Sequence, residues 1–160
     1  MSARVLRFCN LAVSIAEKSS MDFKHGAVCV KGNKIRAVGW NKPRTCVQSV
    51  TVPSLHAEID CLKNKSVETI AGSELFIARV SSTGLGNSKP CRHCLETIKT
   101  FQIKRVVYST RDGWVSELVR DIQAYDKEEY ISHLQEINGT GTPSSKPVIQ
   151  VAVPRFRYRQ

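Results

Sequence analysis

At 160 residues with 41% hydrophobic content, the chain has the size and composition of one globular domain with a proper core. Its 24 Lys and Arg against 14 Asp and Glu give a formal charge of +10, a balance that attracts phosphates at long range. No apolar run nears the length of a membrane span, and the opening MSARVLRFCN does not read as a secretory signal. The expectation is an intracellular, soluble protein, cytoplasmic or nuclear, with no membrane partner.

In chain order, Val5 to Lys18 sets Val5, Phe8, Cys9, Ala12, Ile15 and Ala16 at helical spacing, with Ser2 as N-cap. Ala27–Val30 and Ile35–Trp40 flank a Gly32-Asn33 turn, which signals a hairpin. Asn41 to Pro53 is irregular. Ser54 is expected to cap a helix running from Leu55 towards Asn64. Leu75–Val80 reads as a third strand, Ser81–Lys89 as a Gly- and Ser-rich loop, Cys91 to Phe101 as a helix and Val106–Ser109 as a fourth strand. Trp114–Ile122 fits either a fifth strand or a helix. Asn138–Pro147 is a turn-rich linker, and Val148–Val153 either adds a strand or remains a tail. The order predicts an α/β sheet covered on both faces, with a domain over 1–137 and a linker and basic C-terminal segment over 138–160.

The charge is unevenly placed. Phe23 to Ala57 holds six Lys or Arg and no acid, and Lys146 to Gln160 holds four and no acid. Asp112 to Glu136 carries seven acids against Arg120 and Lys127, and fits a partner surface or a solvated face. Two of the six cysteines form a C-x-x-C. The rest, Cys9, Cys29, Cys46 and Cys61, show no disulfide framework, and Cys9, Cys29 and Cys61 are expected as buried free thiols.

The chemistry concentrates in His56-Ala57-Glu58 and Pro90-Cys91-Arg92-His93-Cys94. His56, Cys91 and Cys94 suit a zinc ion, three ligands leaving the fourth tetrahedral position open to water. Glu58 is close enough to handle protons without occupying the metal. Each half falls at an expected helix N-terminus, where Cys91 and Cys94, at i and i+3, share a face. A lone C-x-x-C is weak and a lone H-x-E weaker; together they are specific. His93, between the two cysteines, is badly placed to close a structural four-ligand site and reads as a surface residue. His25 and His133 read as satisfied, non-catalytic histidines.

With these motifs the chain resembles the cytidine deaminase superfamily, and within it the zinc-dependent CMP/dCMP-type deaminase domain that also includes tRNA adenosine deaminases. The likeness covers roughly residues 4–110. It includes His25-Gly26-Ala27-Val28, Gly39-Trp40-Asn41, His56-Ala57-Glu58 and Pro90-Cys91-Arg92-His93-Cys94. The resemblance implies a three-layer α/β/α fold with a mixed sheet of about five strands. It implies Zn2+ on His56, Cys91 and Cys94, Glu58 as proton shuttle, Asn41 on the sugar and the Ala57 backbone on the base. The Ser81–Lys89 insertion departs from the direct passage of strand into Pro-Cys in many members. The riboflavin-pathway branch is disfavoured, since its cysteines lie further apart than Cys91 and Cys94.

The leading expectation is therefore hydrolytic deamination of cytosine to uracil in a phosphate-bearing substrate, a dCMP-like nucleotide or single-stranded nucleic acid. Adenine deamination in tRNA is one alternative. A noncatalytic zinc-stabilised nucleic-acid binder is another, and the presence of Glu58 argues against it. The substrate is the expected partner, and assembly as a homo-oligomer stays open.

Overall fold

A computed structural model describes residues 1–43 and 54–123. The boundary near residue 137, the 138–160 segment, His133, Cys46 and most of the acidic stretch lie outside the described residues. Helix α1 (Ala3–Ala16) starts where expected, with the Ser2 hydroxyl accepting from the Val5 N–H at 3.3 Å. Strands β1 (Lys24–Lys31) and β2 (Lys34–Trp40) form the predicted hairpin around Gly32, whose φ of 63° suits a residue without Cβ. Helix α2 (Ala57–Leu62) and the single turn α3 (Val67–Ile70) lead into β3 (Glu74–Ser81). The chain then continues through β4 (Gly84–Gly86), α4 (Arg92–Thr100), β5 (Arg105–Thr110), β6 (Gly113–Leu118) and a 3-10 turn over Val119–Asp121.

The sheet is mixed and has six strands among the described residues, ordered β2-β1-β3-β5-β6 with β4 paired to β3. Only β3 and β5 run parallel. Alternation along the strands builds a core on each face. Ala27, Cys29, Leu75, Ile77, Val106 and Tyr108 pack with α2 and α4 residues such as Leu62, Leu95 and Ile98. Val28, Val30, Phe76, Ala78, Val107 and Trp114 pack with Phe8, Cys9, Ala12 and Ile15 of α1. This is the helix–sheet–helix layering expected. Cys9, Cys29 and Cys61 are buried and free, as expected.

Three details differ from the sequence reading, and one alternative it left open is decided. The helix after Ser54 begins two residues late, at Ala57, and Ser54 does not cap it. The reason is that Leu55 is still extended: it exchanges two backbone hydrogen bonds with Lys42, at 3.1 and 2.9 Å. The Ser81–Lys89 loop contains β4, which folds back on β3 through Gly84 at φ 118°. The α3 turn was not expected. The Trp114 region is a strand, because Gly113 at φ 135° turns the chain straight back along β5. No helix among the described residues is long and apolar enough to cross a membrane.

Two glycines on neighbouring rungs of the β1/β2 ladder, opposite Trp40 and Ala27, let the helices come close. A Cβ at Gly26 would overlap the α1 backbone at Ala12 and Ala16. One at Gly39 would overlap the α2 backbone at Ala57 and Cys61. Each glycine thus seats one helix directly on the sheet, and Gly39 seats the helix that carries the H-x-E motif.

Candidate metal and substrate site

His56 and Cys91 occupy the N-cap positions of α2 and α4, and neither uses its side chain to cap its helix. Both side chains are therefore free to turn towards each other. His56 Nδ1 lies 3.2 Å from Cys94 Sγ and 3.6 Å from Cys91 Sγ. The three donor atoms all lie within 4.8 Å of one another. Tetrahedral zinc with Zn–N near 2.0–2.1 Å and Zn–S near 2.3 Å would separate N and S by about 3.6 Å, so these donors fit the ion with little adjustment. His93 is exposed, as expected, and stands outside the cluster.

The electrostatics suit a cation. Cys91 is pushed down to about 3 by a hydrogen bond from Cys94, against burial and with help from His56. Cys94 is pushed up by that same hydrogen bond and by burial. Holding a metal ion on both sulfurs would release thiol protons. Glu58, one position into α2, is buried, and desolvation raises its carboxyl above the usual range. A carboxyl so placed moves protons near neutrality more readily than an exposed one.

The cluster opens into a cavity of about 420 Å³, of a size that suits a small ligand. His56, Ala57, Glu58 and Cys91 line it together with Asn41. The Asn41 amide is already engaged: Oδ1 accepts from the His25 N–H at 2.7 Å and Nδ2 donates to the Phe23 carbonyl at 2.7 Å. It therefore braces the 23–25 segment, the conformational work a turn asparagine often does. The cavity sits at the carboxyl ends of the parallel pair β3 and β5, which separate after Ile77 and Tyr108. Two buried serines fill the fork. The Ser109 N–H donates to Ser88 Oγ at 2.8 Å, Ser88 Oγ donates to the Ile77 carbonyl at 2.8 Å, and the Arg79 N–H donates to Ser109 Oγ at 2.9 Å. This network fixes the segment that leads through Pro90 to Cys91.

Sequence reasoning missed several residues of the cavity, three of them on or beside the site face of the sheet. His25, Phe23 and Arg79 line it. His25 is satisfied, as expected, by a 3.3 Å contact from Nδ1 to the Phe23 carbonyl. It nevertheless faces the site, directly opposite Arg79 in the β1/β3 register. The available signal was parity: His25 is in step with Ala27 and Cys29, and Arg79 with Leu75 and Ile77, on the face that α2 and α4 cover. Asp60, outside the cavity lining, was missed as well. Burial opposes its ionisation, but Lys63, Lys42 and the Trp40 N–H outweigh burial and hold its carboxyl below the usual range.

A family model for the cytidine and deoxycytidylate deaminase zinc-binding region matches residues 3–110. The chain belongs to that family. The dCMP deaminase of the cyanophage S-TIM5 in apo form is 31% identical, with 69% of this chain and 86% of that one covered and a TM-score of 0.54. The structure of that cyanophage dCMP deaminase in complex with dCMP and dUMP matches at 26% identity, covering 86% of this chain and 94% of that one, with a TM-score of 0.53. A cytidine deaminase from Burkholderia pseudomallei, 18% identical over 78% of this chain and all 100% of its own, shares the fold with a TM-score of 0.56. No match was found among curated protein sequences.

Proposed function

We propose that this chain deaminates the cytosine of a free pyrimidine nucleotide of the dCMP type, with His56 Nδ1, Cys91 Sγ and Cys94 Sγ holding zinc and Glu58 carrying protons. The observation that carries this reading is the His56–Cys91–Cys94 cluster, with buried Glu58 beside it in the same cavity. The 31% identity to a dCMP deaminase supports the nucleotide over other cytosine substrates. Zinc held by these residues would supply an acidified water. Glu58 would carry protons to the base, first to the ring nitrogen and then to the departing amino group. The Ala57 backbone, buried at the first position of α2, faces the base in this reading.

The test is a mass-spectrometric screen of the zinc-loaded full chain against dCMP, CMP, deoxycytidine, adenosine, single-stranded DNA and RNA. Conversion of dCMP to dUMP is expected to exceed that of every other substrate. Glu58→Gln is expected to keep zinc and fold while losing about 10²–10⁴-fold in kcat. Turnover of adenosine or of oligonucleotides in place of dCMP would overturn the substrate assignment, and parental turnover by Glu58→Gln would overturn the proton role.

A further inference from the structure

Arg79 is the strongest unexplained cation in the cavity. It follows Leu75 and Ile77 on the site face of β3 and, unlike those two core residues, lines the cavity. Two contacts fix its side chain. The guanidinium carbon lies 4.5 Å from the centroid of the Phe23 ring. Its stem runs over Gly86 of β4, where an added Cβ would lie 3.0 Å from Arg79 Cδ and 3.3 Å from Cγ and Nε. The Arg79 backbone N–H, tied to Ser109 Oγ, holds the strand from which the side chain springs. A guanidinium stacked on a ring keeps its in-plane N–H donors available. Among the described residues no carboxylate pairs with it: the ion pairs of the chain involve Arg4, Lys42, Lys63, Arg92, Arg105 and Arg120. Lys89 lines the same cavity and also lacks an acidic partner there. Asp22 lies on the rim, exposed, and forms no ion pair with either.

A half-buried arginine and a lysine that no acid pairs among the described residues, lining the same cavity as His56 and Cys91, are built for an anion. We infer that Arg79 and Lys89 hold the phosphate monoester of the nucleotide substrate, so that the β3–β4 hairpin and Phe23 set the specificity of the site for a nucleotide over a nucleoside. Two cations match the charge of about −1.5 to −2 on a monoester at neutral pH, whereas a phosphodiester carries only one. The forked donors of Arg79 suit bidentate contact with phosphate oxygens. The Ser81–Lys89 insertion thereby gains a purpose, since it provides both Lys89 and the glycine that makes room for the arginine stem. This inference rests on the nucleotide reading above.

The decisive measurement is binding, which does not require turnover. Calorimetry on the zinc-loaded full chain compares dUMP with deoxyuridine, for the parent, Arg79→Ala, Arg79→Lys and Lys89→Ala. The parent is expected to prefer dUMP, and Arg79→Ala to cut that preference about 10- to 100-fold, the range for charge-assisted contacts to phosphate. Arg79→Lys should restore part of it, which a merely structural role would not do, and Lys89→Ala should reduce it less. An unchanged dUMP-to-deoxyuridine ratio in a folded, zinc-replete Arg79→Ala would overturn the subsite while leaving deamination untouched. Tighter binding of a deoxyuridine-containing trinucleotide than of dUMP would overturn the monoester assignment. Failure of dCMP turnover in a chain that still prefers dUMP would strike the deaminase reading alone.

Discussion

Gly39→Ala separates what holds the site from what holds the fold. The new methyl would sit 2.7 Å from the Ala57 carbonyl oxygen and from Cys61 Cα, with the Cys61 nitrogen closer still. Ordinary contact between carbons is about 3.5–4.0 Å, so α2 must move away from the sheet by about 1 Å. Such overpacking typically costs about 1–3 kcal/mol, which for a chain of this length lowers Tm by about 2–4 °C per kcal/mol. The same step displaces His56 and Glu58, while α4, on which Cys91 and Cys94 sit, stays in place. A misplacement of about 1 Å in catalytic groups costs about 10²-fold in rate. Gly26→Ala is the control: it meets α1 on the opposite face just as closely, yet α1 carries none of the cluster. Both variants are expected to lose comparable stability by thermal melts, and only Gly39→Ala to lose zinc affinity and kcat, read below both melting points by a competing chelator and by dCMP turnover. If the two variants lose zinc affinity equally, or if Gly39→Ala keeps parental affinity, the seating role assigned to Gly39 is wrong.

Metal removal should destabilise the chain, since the donors join the starts of α2 and α4. Zinc at about 100 times its Kd contributes about 2.7 kcal/mol, and an unchanged Tm after chelation would count against the cluster as the metal site. Ser88→Ala should cost about 2–4 kcal/mol by stripping the Ser109 N–H and the Ile77 carbonyl of their buried partner, measured by denaturant unfolding of the zinc-loaded chain. A parental midpoint would show that the fork repairs itself. His25 is pushed down to about 4 by burial, with the Arg79 charge adding to it against a hydrogen bond to the Phe23 carbonyl. The unfolded chain, with a histidine pKa of about 6.5, therefore binds the extra proton. The contribution of neutral His25 to stability is complete above that pH and fades as pH falls towards 4. His25→Gln should flatten this part of the Tm–pH curve, and parallel curves for the two proteins would refute it.

The residues of the two motifs were legible because each pair is local. His56 and Glu58 lie two apart and Cys91 and Cys94 three apart, so a helix start is all that is needed to aim them. Arg79 and His25 were not legible, because 54 residues separate them and only the β1/β3 register makes them neighbours. Phe23 reads as a stray exposed aromatic until the guanidinium above it is seen. The start of α2 was misread at Ser54 because a good capping residue cannot act while the next residue is still pairing with Lys42. A three-residue strand holding two glycines, as β4 does, leaves no hydrophobic period to detect. Trp114–Ile122 carries too few periods to separate strand from helix, and Gly113 decides it through the turn. Asn41 was named through the family resemblance, as a contact to the sugar, and its amide is engaged by the backbone of Phe23 and His25 at the start of β1.

The paired hydrogen bonds between Lys42 and Leu55 carry a consequence for how this chain can change over time. They clamp the neck of the excursion between the second strand and the metal-bearing helix, so whatever lies between 43 and 54 is anchored at both ends a single residue short of His56. Doubling the length of such a closed excursion costs only about 0.6 kcal/mol in chain entropy. Residues can be added, deleted or exchanged there without passing a shift on to the histidine. The neck acts as a socket: the sequence between 43 and 54 is free to be rewritten while His56 keeps its address.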